Sequence, residues 1–401
     1  MVLFSSVCRD AAVQNVMIKD CRSELNTDMT LSKKWLFWVV FVPVALIVAV
    51  ALFGETPASP VAWTPQAAPS LTDGVYASND KLQNTQVFGS FNLLQPESIA
   101  PGPNGVLYTG MNTGEVVRLN PGDLRVKNLP TTAPFALLAN TGGRPLGMVY
   151  NPRVGLIVAD GQRGLLQIQP EGGVKVLSQQ ADGVPFGFTD DVAVTADGHY
   201  AYFTDASSKF KYPEFTLDIL EHQGHGRLLR YDFETGQTQT LLSGLQFANG
   251  VTLSSAEDYV LVNETGAYRI TRYWLKGDKQ GQSDTFVDNL PGFPDNIRND
   301  GHDVFWVAIP SLRDPMLDFL SDKPALRKAL SRLLVHVEFP VKPHAMALAF
   351  DAQGKVLENL QAPKANGYYY ITQVTPVGKK LYFSSVHING IAETLNPLMN
   401  P

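Results

Sequence analysis

From about residue 99 to the C-terminus the chain alternates short apolar runs with breaks of Gly, Pro, Asp and Asn. The runs 105–110, 155–160, 199–205, 259–264, 304–308 and 380–385 each hold four to six apolar or alternating positions, the signature of β-strands rather than helices. Several follow a turn signal, such as Pro-Asn-Gly, Ala-Asp-Gly or Asn-Asp-Gly. The runs belong to a larger repeat: an apolar segment, a turn, a strand ending near Asp, Glu or Ser, then a second strand pair. Repeats begin near Glu97, Leu146, Asp190, Asn249, Asp295 and Gln373, at spacings of 49, 44, 59, 46 and 78 residues. A four-stranded propeller blade takes roughly 40–50 residues. The pattern therefore predicts an all-β fold, a six-bladed β-propeller over residues 84–401, with insertions in the two long spacings.

The longest insertion changes period. In 312–334 the segments Met316-Leu-Asp-Phe-Leu320 and Leu326-Arg-Lys-Ala-Leu330-Ser-Arg-Leu-Leu334 place apolar residues at helical spacing, with Pro324 suited to a helix start. The expectation is a helical insertion between blades 5 and 6, forming either a surface hairpin or a wall over the channel.

The N-terminal part follows another pattern. Trp35–Phe53 is a 19-residue stretch without a charge, preceded by Lys33 and Lys34. As a helix it would measure about 28 Å, close to the hydrocarbon thickness of a bilayer. The basic flank predicts a cytoplasmic N-terminus (1–34) and a single-pass signal anchor (35–53). The propeller then lies on the non-cytoplasmic side, after a Pro-, Ala-, Ser- and Thr-rich linker over 54–83. A cleaved signal peptide fits less well, because the apolar run is long and Ala51-Leu52-Phe53 is a poor cleavage site. Residues 1–28 carry both cysteines, Cys8 and Cys21, and no sustained periodicity; they read as an upstream extension ahead of a natural start at Met29.

Composition narrows the function. With 32 Lys and Arg against 38 Asp and Glu, the net charge is −6, and no basic block suits nucleic acid. Two cysteines make no disulfide framework and no C-x-x-C metal knuckle. G-x-S-x-G, P-loop, G-x-G-x-x-G and H-E-x-x-H motifs are all missing. His222 and His225 are the only histidines close in sequence, and their glycine-rich setting disfavours a metal site.

Oxygen side chains recur at the repeat starts instead: Glu97, Asp190 with Asp191, Asn249, and Asp295 with Asn296, each just ahead of an apolar strand. Asp and Asn are also common turn residues. Recurrence in one register across four repeats favours convergence on the channel axis. Carboxylate and carboxamide oxygens are hard ligands suited to Ca²⁺, which takes about 6–8 of them, and unsuited to zinc.

Several segments together resemble the strictosidine synthase-like proteins, and among them the adipocyte plasma membrane-associated family: Phe-Ala-Asn-Gly-Val (247–251), Gly-Arg-Pro-Leu-Gly-Met (143–148), Leu-Pro-Gly-Phe-Pro-Asp-Asn-Ile (290–297), Phe-Thr-Asp-Ala-Ser-Ser-Lys-Phe (203–210) and Gly-Arg-Leu-Leu-Arg-Tyr-Asp (226–232). The resemblance implies a six-bladed propeller and kinship with calcium-dependent lactonases and arylesterases of the gluconolactonase and paraoxonase kind. It also implies that Glu97, Asn249 and Asp295 are metal ligands, with Asn296 a further one. Asp190 stands where such relatives usually carry Asn. The strictosidine synthase glutamate of the last blade is replaced by Thr372 or Gln373, and the paraoxonase-type histidine of the second blade by Leu146. A second ion is disfavoured, because Ser98 stands where an acid beside Asp191 would be needed.

The resulting expectation is a membrane-anchored, calcium-dependent hydrolase of esters or lactones. Its metal set is Glu97, Asp190, Asn249, Asp295 and Asn296. His344, Asp295 or Asp190 activates water, or a carboxylate attacks directly. Phe186, Phe188, Phe293 and Tyr368 suggest an apolar or aromatic small-molecule substrate. The alternatives are a strictosidine synthase-type carbon–nitrogen lyase and a non-enzymatic ligand-binding propeller.

Overall fold

The computed structural model describes residues 38–90, 92–122, 135–334, 342–364 and 367–399. Six four-stranded antiparallel sheets form the blades of a β-propeller. The innermost strands are Ile99–Pro101, Pro145–Asn151, Thr189–Val194, Ala248–Leu253, Ile297–Asn299 and Ile371–Val377, and each contacts the innermost strands of its two neighbours around the axis. The ring is closed by the N-terminal strand Gln86–Phe88, which pairs with Ile391–Leu395 as the outer strand of the sixth blade.

Why the apolar runs are so dense follows from this packing. Side chains alternate faces along a strand, and here both faces are buried, each against a different blade. In Tyr259–Glu264, Tyr259 and Leu261 pack with the fifth blade, while Val260 and Val262 pack with the third. In Phe305–Ala308, Phe305 and Val307 join the fourth blade, and Trp306 and Ala308 the sixth. All six runs read from the sequence are second strands of their blades.

The helical insertion is displaced from its expected position. Helices Pro315–Leu320 and Pro324–Leu334 lie within the fifth blade, between its second strand Phe305–Ala308 and its third, Ala345–Phe350, which pair directly. They do not lie between blades 5 and 6; spacing alone cannot tell an insertion inside a blade from one after it. The other long spacing is explained by residues 206–225, which leave the second strand of the third blade and contain helix Phe215–Glu221. Both insertions depart from the same end of the propeller, the end where the innermost strands begin.

The chain divides into two compact units, residues 1–57 with 329–337, and the remainder. In the smaller unit, residues 38–53 are helical, with exposed apolar side chains such as Val40, Leu46 and Phe53. Among the described residues no helix is long and apolar enough to cross a membrane; residues 1–37, including the first part of the expected span, lie outside them. In the larger unit, residues 58–83, expected as a linker, run along the propeller. Val61 N–H donates to Glu221 O (3.0 Å), Trp63 N–H to Ser321 O (3.1 Å), and Arg327 to Val61 O (2.8 Å) and Ile219 O (3.1 Å). This strap therefore ties the two insertions together.

Candidate metal centre at the channel mouth

Four innermost strands carry one extra residue at their start. The register against the second strand slips between Pro145 and Met148, Thr189 and Val192, Ala248 and Val251, and Ile371 and Gln373. A bulge of this kind bends a strand and re-aims its side chains. Leu146-Gly147, Asp190-Asp191, Asn249-Gly250 and Thr372 occupy these bulges. The glycines are required there by close approach: a Cβ on Gly147 would lie 2.5 Å from Asp191 Cα, and one on Gly250 2.5 Å from both Asn296 Cα and Asp295 O. Gly250→Ala is expected to push Asp295 and Asn296 outward and weaken divalent-cation affinity about tenfold; calcium titration by calorimetry checks it.

The loops leading into these strands are held by acids at the ends of the second strands. Asp160 Oδ1 accepts from Arg144 N–H (3.0 Å), Asp205 Oδ1 from Phe188 N–H (2.9 Å), and Glu264 Oε2 from Gln246 N–H (2.8 Å). These carboxylates are supports; Asp205 is further engaged by Arg227 and Glu264 by Arg269.

At the mouth, the fold draws Glu97, Asp190, Asn249, Asp295 and Asn296 into one electrostatic neighbourhood. Asn296 Nδ2 donates to Glu97 Oε1, and the Asn249 amide acts on Asp295 to favour its charged form. Burial, then repulsion from Asp191, pushes the Glu97 carboxyl up to about 8. Asp190 and Asp295 are raised well above the usual carboxylate range by burial and then by Glu97, with further repulsion between the two acids on Asp190. Three oxygens, Glu97 Oε2, Asn249 Oδ1 and Asn296 Oδ1, are buried without a hydrogen-bond partner. Unpaired buried acceptors are costly. Among the described residues no group of three or more His, Cys, Asp or Glu side chains is close enough to hold a metal by itself; the donors here are a mixed carboxylate and carboxamide set. Hard oxygens left unpaired between mutually repelling carboxylates fit a hard divalent cation.

Beneath the mouth the axis is already neutralised. Arg298 donates to both oxygens of Asp191, Nη1 at 2.6 Å and Nη2 at 2.8 Å, and to Gln373 Oε1 at 2.9 Å. A guanidinium thus takes the place a second cation would need beside Asp191. Below it, a cavity of 300 Å³ opens among the far ends of the innermost strands. A larger cavity of 490 Å³ lies between residues 64–68 and the 313–323 segment. Neither is lined by the mouth carboxylates, of which Glu97, Asp190 and Asp191 lie buried and Asp295 half-buried.

Other expectations are redistributed. His344 immediately precedes the third strand of the fifth blade, Ala345–Phe350. Its Nε2 lies 3.2 Å from Gln361 Oε1 on the outer strand, and burial lowers its pKa. No hydrogen bond joins it to the carboxylates among the described residues. His225 pairs with Glu221 (2.7 Å), while His222 stacks on Trp63 (3.9 Å between centroids), so the two rings do not converge on an ion. Thr372 Oγ1 donates to Glu97 O (2.6 Å), and Gln373 is held by Arg298 and Ile99 O (2.7 Å). Both act as supports where the lyase would need an acid. Of the four aromatics, Phe188 joins Leu146, Phe247, Tyr212 and Ile219 in an apolar cluster beside the metal-centre strands. Phe186 packs on Phe203, Phe293 on Tyr268, and the Tyr368 hydroxyl donates to backbone carbonyls in the core. Sequence reasoning missed Arg144, which is buried and acts electrostatically on Glu97. Its only signal was a single arginine in Gly-Arg-Pro.

Comparison with known proteins agrees with this architecture. The family described as strictosidine synthase matches residues 190–278, and strictosidine synthase-like, N-terminal, matches 74–119. The adipocyte plasma membrane-associated protein of Gallus gallus is 39% identical over 314 residues, covering 74% of this chain and 75% of the relative. The Homo sapiens protein of that name is 35% identical over 367 residues, covering 87% and 88%. Strictosidine synthase-like 3 of Arabidopsis thaliana is 33% identical over 332 residues, covering 78% and 85%. Among solved structures, a gluconolactonase from Xanthomonas campestris superposes with a TM-score of 0.54 at 15% identity, covering 85% of this chain and 99% of its own. The calcium-binding protein regucalcin from Agrobacterium tumefaciens gives 0.54 at 12%, covering 78% and 93%. At these identities the structural likeness speaks for the fold alone.

Proposed function

The chain belongs to the adipocyte plasma membrane-associated family of strictosidine synthase-like proteins, and we propose that it is a membrane-tethered, calcium-dependent hydrolase of esters or lactones. The observation that carries this reading is the donor set at the mouth: three buried, unpartnered oxygens on Glu97, Asn249 and Asn296 among carboxylates that repel one another. Four carboxylates (Glu97, Asp190, Asp191 and Asp295) face two guanidiniums, Arg144 and Arg298. The remaining charge is that of one divalent cation.

When bound, the ion would polarise a carbonyl oxygen and favour the developing oxyanion. Glu97, Asp190, Asn249, Asp295 and Asn296 would hold it. Asp190 and Asp295 are the bases we favour over His344, whose Nε2 is turned to Gln361. Either would take the proton of an attacking water. Leu146, Phe188, Phe247 and Tyr212 offer the apolar wall against which an acyl or aryl group would rest. The N-terminal apolar helix would tether the propeller on the non-cytoplasmic side.

A panel of aryl esters and lactones, assayed with and without chelator, tests the reading. Chelator-sensitive turnover that is lost in Asn249→Ala supports it. Calcium binding without turnover of any member supports a ligand-binding propeller instead. The lyase reading has no acid to use at Thr372 or Gln373.

Protons should compete with the cation. Without the ion, Glu97 keeps its proton up to about pH 8. Calcium must expel that proton and any held on Asp190 and Asp295, so affinity is expected to rise with pH through about 8. The stability of the chelated protein runs the other way. The folded state binds the proton more tightly than the unfolded one, so stability present at low pH is lost as pH climbs through the folded value of about 8. Calorimetry at pH 7 and pH 9 (about two units spanning that value), with and without calcium, checks both signs; equal calcium affinity at the two pH values would rule out Glu97 as a ligand.

A further inference from the structure

Arg144 sits in the Gly-Arg-Pro turn that leads into the second blade, just ahead of the bulge at Leu146-Gly147. Its side chain is turned inward and only 3% of the residue is exposed. Nη2 donates to Gln95 O at 2.9 Å, two residues before Glu97. The Nε and Nη1 groups are buried and have no hydrogen-bond partner. No ion pair to Arg144 forms among the described residues, although its charge acts on Glu97. Other inward-turned arginines among the described residues have carboxylate partners by comparison: Arg227 binds Asp205 through Nε and Nη2, and Arg298 binds Asp191 through both terminal nitrogens. A guanidinium carries five N–H donors and cannot shed its charge. Burying one with two nitrogens unsatisfied is costly unless an acceptor arrives.

We propose that Arg144 is the recognition site for a carboxylate on the ligand, so that the preferred ligands are carboxylate-bearing esters or lactones, or the acids they release. The inference deepens the hydrolase reading and rests on it for the cation. With all four carboxylates ionised and no divalent ion, the mouth holds two more negative than positive groups, which opposes an incoming anion. With the ion bound the mouth is neutral, and Arg144 offers an anion the unpartnered N–H groups of Nε and Nη1. Where the mouth carboxylates are ionised, carboxylate binding is therefore calcium-dependent, and by reciprocity the carboxylate tightens calcium.

The probes are benzoate and its neutral isostere benzamide, titrated calorimetrically into the full chain in mild detergent at saturating calcium. Benzoate is expected to bind about tenfold or more tightly than benzamide, as charge-assisted hydrogen bonds require. In Arg144→Gln that preference should fall about tenfold while calcium affinity stays within about threefold of wild type. An unchanged preference in Arg144→Gln overturns the proposal, as does a wild type that does not prefer benzoate. If Arg144→Gln does not fold, Arg144→Lys, which keeps the charge without the planar fork, should lose part of the preference; a full wild-type preference in it overturns the proposal equally. Turnover of monophenyl succinate against phenyl butyrate then separates the sources. An advantage of about tenfold for the succinate that shrinks in Arg144→Lys puts the carboxylate on the substrate. Equal turnover with inhibition by benzoate puts it on the released acid. Benzoate binding through Arg144 with no turnover of any ester supports the carboxylate site and sinks the hydrolase reading alone.

Discussion

Glu97→Gln is expected to weaken calcium binding by about a hundredfold or more and to remove any cation-dependent turnover. The geometry argues for an effect of this size. Asn296 Nδ2 already donates to Glu97 Oε1. A glutamine accepting the same bond would turn its –NH2 to the position of the unpartnered Oε2. One donor oxygen would become a pair of N–H groups facing the cation, and the site would lose a negative charge. The same substitution relieves the folded protein when no cation is present, because burial and Asp191 already disfavour the charged form of Glu97. In chelator the variant should therefore unfold at the same temperature as wild type or higher. Wild type should gain about 2.7 kcal/mol at a hundredfold excess of calcium over Kd, and the variant almost nothing. This pairing separates a lost ligand from a damaged fold. Calcium that raises the melting temperature of Glu97→Gln as far as that of wild type would remove Glu97 from the proposed site.

Burial on both sides made the strands easy to read. Runs such as Tyr259–Glu264 and Phe305–Ala308 pack against two neighbouring blades at once, so they are apolar at successive positions and stand out. The acids and amides were legible for another reason. Glu97, Asp190, Asn249 and Asp295 recur at the same phase of the repeat, and that phase is the start of the innermost strand. What stayed hidden depended on partners distant in sequence. Nothing local marks Arg298 as the counter-ion of Asp191, 107 residues away. Arg144 in a Gly-Arg-Pro turn looks like any loop arginine until its burial is known. The bulges at the four strand starts leave no compositional trace beyond Gly147 and Gly250, which suit many turns. Residues 58–68 read as a free linker because several of their ties, from Val61 and Trp63, run through the backbone, where side-chain identity carries no signal. His344 was attractive for its chemistry, but its partner Gln361 belongs to the outer strand of its own blade.

Arg298→Met should cost about 3–5 kcal/mol of stability, the cost of stranding a buried charge rather than the net worth of an ion pair. Asp191 is fully buried, and its oxygens accept from Val192 N–H and Val251 N–H, each at 2.9 Å, besides the two guanidinium bonds. Arg298 also binds Gln373 Oε1, and Gln373 Nε2 donates to Ile99 O at 2.7 Å. One chain of hydrogen bonds thus links the third, fourth, fifth, sixth and first blades at the axis. Methionine fills much of the volume of the arginine stem but leaves Asp191 facing Glu97, Asp190 and Asp295 with no fixed cation beneath them. The deficit should therefore be largest in chelator and smaller with calcium, which restores part of the missing positive charge. Adding Asp191→Asn should return part of the loss, because the stranded charge is then gone, while only one of the two backbone donors, Val192 N–H on Oδ1 or Val251 N–H on Oδ2, still finds an acceptor in the carboxamide. A double variant no more stable than Arg298→Met would mean that the cost lies in packing or in the Gln373 link, not in the unpaired carboxylate.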